Sequence, residues 1–257
     1  SLYKWNVFQP AEFVGIDNYW RFFNDTQALT SFLNTIRFVV FAVGLQIGLG
    51  LLLALVVEKV ALKGLRYLFR SAFFLPQLTS AASISIVLSY LFNKEFGAVN
   101  YYLGLLGIPR IPWLTSSDCA MTAVVLAYGW QTIGFTFILL VGGLGNIPRE
   151  ILEAADVDGA QGWRRLWHIT LPLISPIVMF AAVIGVIHAL QVFEHPFVLT
   201  RGGPGDASRT AVMIVYQSAF KNLEIGYGST AAVFLFIMIL SVTAFQFWLS
   251  KRWVFYQ

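Results

Sequence analysis

Glu153-Ala154-Ala155-Asp156-Val157-Asp158-Gly159, nine further residues, and then Ile169-Thr170-Leu171-Pro172 form a polar island between two long apolar stretches. A helix can start behind Asn146 or Ile147 with Pro148 in its first turn, where a missing N–H costs nothing. Glu150 and Glu153 then lie towards its positive end. Asp158-Gly159 stops it, because glycine enters the left-handed region without penalty. A second short helix is expected from Ala160 to about Ile169, carrying Arg164, Arg165 and His168 and closed by Pro172. The pattern predicts two short amphipathic helices at a bend, held at a membrane surface between two spans.

Composition sets the class. Of the 257 residues, 58% are hydrophobic and 12% charged, whereas a soluble domain carries about 25% charged residues. Long uncharged runs at half that level indicate an all-α integral membrane protein. The 16% aromatic content suits interfacial belts. The net charge of +4 is small and its basic residues sit at span ends, so nucleic acid is not an expected partner. The single cysteine, Cys119, cannot close an internal disulfide and reads as a packing residue. The chain opens at Ser1 in a polar, aromatic segment with no visible signal peptide.

About 20 apolar residues cross a bilayer as a helix. Five stretches qualify, at 32–57, 71–93, 119–144, 173–194 and 227–250, with Pro76 interrupting the second. The run from Ala211 to Phe220 is too short and is expected to lie on the membrane or tuck against the bundle. No strand pattern and no internal repeat is visible, so the expectation is a single transmembrane domain over 1–257. Loops at 58–70, 145–171 and 251–257 hold nine Lys and Arg in 47 residues, against seven in 88 on the other side. The denser side is cytoplasmic. The island at 145–172 therefore faces inward and residue 1 outward.

These residues resemble a known family. Glu-Ala-Ala, a glycine four residues on, and Ile-x-Leu-Pro after nine more match the EAA loop of ABC importer permeases at every position of its pattern. Leu199-Thr200-Arg201-Gly202-Gly203-Pro204 looks like the LTxGGP segment of the sugar and glycerol-phosphate branch, best known from the maltose transporter. Gly226-Tyr227-Gly228-Ser229-Thr230-Ala231-Ala232 resembles the start of its last span, and Phe13 to Tyr19 its first external segment. The resemblance implies a type I importer transmembrane domain, with five spans here and a first span missing ahead of Ser1. It implies a multi-pass protein of a bacterial or archaeal cytoplasmic membrane. Its partners would be a second, similar permease, two ATP-binding subunits, and an external solute-binding protein or lipoprotein. ATP and Mg would sit on the partner, with no cofactor on this chain. Coupling to the ATPase is then expected from Glu153, Ala154, Ala155, Asp158, Gly159, Arg164, Leu171 and Pro172.

No Gly-Lys pair occurs, which excludes a P-loop, and no Gly-x-Ser-x-Gly or zinc-helix spacing is present. An enzyme is not expected. Polar groups inside spans mark a pathway by default. The candidates are Gln77, Tyr128, Gln131, Thr132, Gly185, His188 and Gln191, with positions 188, 191 and 195 expected on one helical stripe. Thr79, Ser80 and Ser83 are set aside, since such hydroxyls bond back to their own helix. Gln131 and Gln191 serve equally well as bridges between helices. By the resemblance, Gln77 and Tyr128 are polar at sugar-contacting positions, while Ala81, Ala189 and Val192 are not. No Lys or Arg lies within a span except Arg37, near an outer end. A phosphorylated cargo wants a fixed cation, so a sugar or oligosaccharide is favoured over glycerol 3-phosphate or a glycerophosphodiester. An ion-driven secondary transporter, with His188 and Glu194 as proton relay, is the more distant alternative.

Overall fold

The computed structural model describes residues 1–6, 8–60 and 62–255. In chain order they form strands β1 (Tyr3–Lys4) and β2 (Glu12–Phe13), then helices α1 (Asp17–Asn24), α2 (Thr26–Glu58) and α3 (Lys63–Phe74). A 3-10 turn (Leu75–Leu78) leads to α4 (Ala81–Leu91), α5 (Ala98–Leu105), α6 (Ser117–Gly145), α7 (Arg149–Val157) and α8 (Gly162–Arg165). A π-turn (Leu166–Thr170) enters α9 (Leu171–Leu190), followed by α10 (Glu194–Leu199), α11 (Ala211–Tyr216) with a π-turn (Gln217–Lys221), and α12 (Ile225–Ser250).

Four helices are long and apolar enough to cross a membrane: α2, α6, the run Gly162–Leu190, and α12. At 1.5 Å per residue each exceeds a hydrocarbon core of about 30 Å. The expected span at 71–93 is not one helix. Pro76 offers no N–H and sits in the 3-10 turn, and Ser80 is extended at φ −63° and ψ 127°, so the ladder breaks before α4 restarts. With 11 residues, α4 reaches only about 16 Å. The pair Lys63–Leu78 and Ala81–Leu91 makes a fifth span where the two pieces count as one. The span expected at 32–57 begins earlier, because Asp25 Oδ1 accepts the N–H groups of Gln27 and Ala28 at 2.9 and 3.0 Å and caps α2.

The described residues divide into two compact units. The first comprises residues 1–42, 79–128 and 187–241. Its core gathers Phe22, Ala28, Ile214, Tyr227 and Ala231. Phe22 stacks on Phe234 with ring centroids 4.2 Å apart. Polar ties frame this core: Tyr227 donates to Asp25 at 2.6 Å, and Arg21 grips Glu224 at 2.8 and 3.1 Å. The opening residues are bound in place, with Asn18 Nδ2 donating to the carbonyls of Ser1 and Tyr3 at 2.8 and 3.1 Å. Two residues of β1 pair antiparallel with two of β2, a short ladder that the sequence pattern did not signal. Gly226 admits this segment: a Cβ there would stand 1.9 Å from the Tyr3 carbonyl oxygen. The run Ala211 to Phe220, expected to lie on the membrane or tuck against the bundle, buries Ala211, Met213, Ile214 and Ser218 and so is tucked into the unit.

The loop ahead of α11 is closed by side chains. Thr200 and Ser208 hydroxyls meet at 2.7 Å, and Ser208 donates to Gly203 O at 2.9 Å. Asp206 accepts from Gln27 Nε2 at 3.0 Å and pairs with Arg209, and its own carbonyl accepts from Asn34 at 2.7 Å. Partial burial raises the Asp206 pKa, but the bonds from Gln27 and Arg209 outweigh it and hold the carboxyl below its ordinary 3.8.

The second unit comprises residues 43–78, 129–186 and 242 onward. Ala54, Val57, Phe137, Leu140, Val141 and Ile174 form its core, flanked by Phe69, Phe73, Leu144, Ile147 and Leu171. Small residues allow close approach: a Cβ on Gly134 would lie 2.1 Å from the Phe73 carbonyl oxygen. Arg66 spans the turn after α2, donating to Glu58 Oε1 at 3.1 Å and to the Val60 carbonyl at 2.8 Å.

Two outcomes follow from these contacts. Gly226→Ala should lower the thermal midpoint of the purified chain by several degrees, an overpacking cost of about 1–3 kcal/mol. Gly104→Ala, where a Cβ meets nothing within 4 Å, should not lower it. Asp206→Asn should destabilise at neutral pH. A carboxyl with a depressed folded pKa contributes stability above its unfolded value and loses it as pH falls through the folded one. The gap between variant and wild type, read from thermal midpoints across an acid titration, should therefore close only below about pH 4.

Candidate functional site

The polar island is an elbow built onto the core of the second unit. α6 ends at Gly145, and Leu144 and Ile147 pack against that core. Pro148 stands at the cap position of α7, with φ −55° and ψ 135°, and no side chain caps the helix. The expected cap at Asn146 or Ile147 with Pro148 in the first turn is thus displaced by one to two residues: proline's extended ψ makes it the cap itself. Along α7, Ala155 is buried, Ile151 and Leu152 are half-buried, and Glu150, Glu153, Ala154 and Asp156 are exposed. The Glu153 side chain makes no ion pair or hydrogen bond among the described residues, and Val157 after it is 88% exposed.

The helix stops as its sequence requires. Gly159 takes φ +71°, its N–H donates to Asp156 O at 3.2 Å, and the Ala160 N–H donates to Ala155 O at 2.9 Å. These are the two bonds of a Schellman turn. Asp158 is the C-cap, exposed, and Arg165 reaches back to Asp156 at 2.8 Å across the bend. A second left-handed glycine, Gly162 at φ +56°, opens α8. Arg164, Trp163 and Trp167 are exposed there.

Pro172 does not close this second helix, contrary to expectation. The run from Gly162 to Leu190 is continuous, and the π-turn at Leu166–Thr170 carries it past the proline. The Leu171 N–H bonds to Leu166 O, one residue further back than in an α-helix, and the widened turn accommodates the ring that would otherwise clash. Leu171 packs on the core, and the Pro172 carbonyl accepts from Ser175 Oγ at 2.6 Å. Glu153 to Gly159 are thus gathered on one exposed helix and its cap, while Leu171 and Pro172 sit in the root of α9.

The polar residues of the spans fall into separate sets. In the second unit, Gln131 and Gly185 are buried, and Thr132 and Gln77 are half-buried. Gln46, which sequence reasoning passed over, joins them. It is buried in α2, its Nε2 donates to Thr132 O at 3.3 Å, and its Oε1 lies 3.1 Å from where a Cβ on Gly185 would stand. A lone amide in the apolar run Leu45 to Leu53 was the available signal. The oxygens of Gln46, Gln77 and Gln246 are buried without a hydrogen-bond donor. In the first unit, Tyr128 is buried edge-on between Phe38 and His195, with centroids 5.2 and 5.5 Å away. The expected stripe through 188, 191 and 195 is not formed. α9 ends at Leu190 with Gln191 and Val192 bonded three residues back, so His188 and Gln191 are exposed while His195 is buried in α10. Helical periodicity cannot be carried past a helix end.

Comparison with known proteins agrees with this architecture. The pattern for the inner membrane component of binding-protein-dependent transport systems matches residues 46–254. The sulfoquinovosyl glycerol transport system permease protein SmoG of Agrobacterium fabrum is 35% identical over 91% of this chain and 76% of its own length. The sn-glycerol-3-phosphate transport system permease protein UgpA of the same organism is 34% identical over 96% and 83%. In the crystal structure of a bacterial alginate ABC transporter with its alginate pentasaccharide-bound periplasmic protein, one chain matches with a TM-score of 0.82 at 25% identity. That match covers 93% of this chain and 83% of that one. The chain belongs to the family of binding-protein-dependent transport system inner membrane components, and it is a multi-pass transport permease, not an enzyme.

Proposed function

We propose that the chain is a permease subunit of an ATP-driven importer, carrying a sugar or oligosaccharide across a bacterial or archaeal cytoplasmic membrane by alternating access. Its working partners are a second, similar permease, two copies of an ATP-binding subunit that hold ATP and Mg, and an external solute-binding protein. The observation that carries this reading is the elbow. α7 is exposed along Glu150, Glu153 and Ala154, rooted through Ala155, and fixed in direction by a left-handed glycine. Such a helix can be gripped by a partner and move the core it stands on. Glu153, Ala154, Asp158, Gly159 and Arg164 form the gripping side; Ala155, Leu171 and Pro172 form the root. When the ATP-bound partners close, they draw the elbows together and open a pathway to the outside; hydrolysis resets it.

Within the second unit, Gln77, Gln131, Thr132 and Gly185, with Gln46 added, are the pathway candidates; Tyr128, His188 and Gln191 are candidates of the first unit by itself. Sugar hydroxyls match amides and a phenol. The cargo class is supported by relatives named for sulfoquinovosyl glycerol and alginate. Glycerol 3-phosphate is the second reading, favoured by the relative named for that solute at 34% identity. The proton-relay alternative has little support, since His188 and Glu194 are both exposed.

The test is a reconstituted assembly in which uptake and ATP turnover are measured together. Gly159→Pro cannot adopt φ +71° and removes the N–H that bonds to Asp156 O. The expected result is co-purification of all subunits with uptake per ATP reduced roughly ten-fold or more, given a misdirected elbow. Uptake at the wild-type ratio would remove the coupling role.

A further inference from the structure

Beside the loop that precedes α11, the first unit holds a cavity of about 440 Å³. That volume lies in the range of about 300–1,000 Å³ typical of small-molecule sites. Arg201, Arg209 and Lys221 line it, and no carboxylate does. The three cations are held differently. Arg209 is tied to Asp206 and donates to Gln217 Oε1 at 2.5 Å, which fixes its guanidinium and offsets part of its charge. Lys221 is exposed and rests over the rings of Phe197 and Tyr216 at 5.6 and 5.9 Å, with no acidic partner. Arg201 is exposed and makes no ion pair among the described residues, and its backbone sits at φ 53°, a region that disfavours a side chain by about 1–2 kcal/mol. A strained, unpaired arginine at the rim of a concave site suggests a role beyond folding.

The remaining walls add a second chemistry. Phe197 and Tyr216 meet edge to face at 5.5 Å, and Phe193 stacks on Phe197 at 4.9 Å, making a platform of rings. Gln217 and Asn222 bring side-chain amides on and just after the π-turn. Cations, aromatic faces and amides in one recess match an anionic group, a C–H-rich ring face and hydroxyls. We propose that this cavity binds an acidic sugar residue, its anionic group held by Arg201 and Lys221 and its ring lying along Tyr216 and Phe197. The inference rests on the importer reading and names a cargo class for it. The span interiors, by contrast, carry almost no fixed cations, so the anion is read outside the membrane core.

The experiment uses the complete assembly in nanodiscs without solute-binding protein, titrated calorimetrically with trigalacturonate, maltotriose and inorganic phosphate. Trigalacturonate should bind roughly ten-fold or more tightly than the other two, with affinity falling as salt rises. Arg201→Gln combined with Lys221→Gln should abolish that preference. Neither side chain makes an ion pair or hydrogen bond, and an unchanged thermal midpoint would verify the fold. Equal binding of maltotriose, binding of phosphate as tight as trigalacturonate, or no binding overturns the proposal. So does a double variant that keeps trigalacturonate affinity and loses only capture of the solute-binding protein, which would make the recess a protein contact. ATP turnover stimulated by a cognate solute-binding protein is measured in the same discs. Stimulated turnover without trigalacturonate binding overturns this inference alone, and absent stimulation removes the importer reading and the inference with it.

Discussion

Two backbone hydrogen bonds at one glycine determine what the elbow can do. With Gly159 at φ +71°, the last carbonyls of α7 are closed by Gly159 and Ala160, and the chain leaves in a fixed direction towards α8. An L-residue there pays about 1–2 kcal/mol, and proline cannot comply at all. The salt bridge from Arg165 to Asp156 spans the same bend but is partly exposed, and such pairs contribute only about 0–1 kcal/mol. Direction is therefore set by backbone geometry, with charge as a secondary brace. Ala155 is buried, and Ile147 and Leu171, on either side of the elbow, pack on the core of the second unit.

Some of this was legible in the letters, for physical reasons. The stop at Gly159 follows from a local rule about turns, whereas the burial of Ala155, expected among the coupling residues, did not. The apolar lengths of α2, α6 and α12 were equally plain, because lipid demands continuous helices. What misled the reading was proline. Pro76 breaks a helix, whereas Pro172 does not, and the difference lies in whether a π-turn can open ahead of the ring. That choice depends on packing around Leu166 to Leu171, which no local pattern encodes. The lost stripe at His188, Gln191 and His195 has the same origin, since the end of α9 at Leu190 carries no glycine or proline. Gln46 was overlooked because one amide in an apolar run looks like noise until Thr132 and Gly185 are seen beside it.

The loop ahead of α11 in the first unit is organised by a different principle. It cannot rely on a helical ladder, so side chains close the backbone instead: Thr200 on Pro196 O, Ser208 on Gly203 O, Asn34 on Asp206 O. Asp206 is the node, accepting from Gln27 as well as Arg209. A loop closed in this way has its backbone fixed by side chains, so less ordering is left to be done when a ligand binds beside it.

The buried amides of the second unit raise the question of why polar groups persist where they are expensive. Gln46 and Gln246 each give a side-chain N–H to a helix carbonyl, at Thr132 and Ala182, so their donors act as links between helices. Their oxygens are left without donors, as is that of Gln77, and each such group costs about 1–3 kcal/mol. Threonine does not escape this cost in the same unit: the Thr136 and Thr243 hydroxyls are buried without a hydrogen-bond partner among the described residues. Gln77 stands in the 3-10 turn beside Pro76, where the helix is interrupted. The three amide oxygens and two threonine hydroxyls are therefore a shared cost of joining these helices through polar side chains, offset in part by the N–H bonds of Gln46 and Gln246.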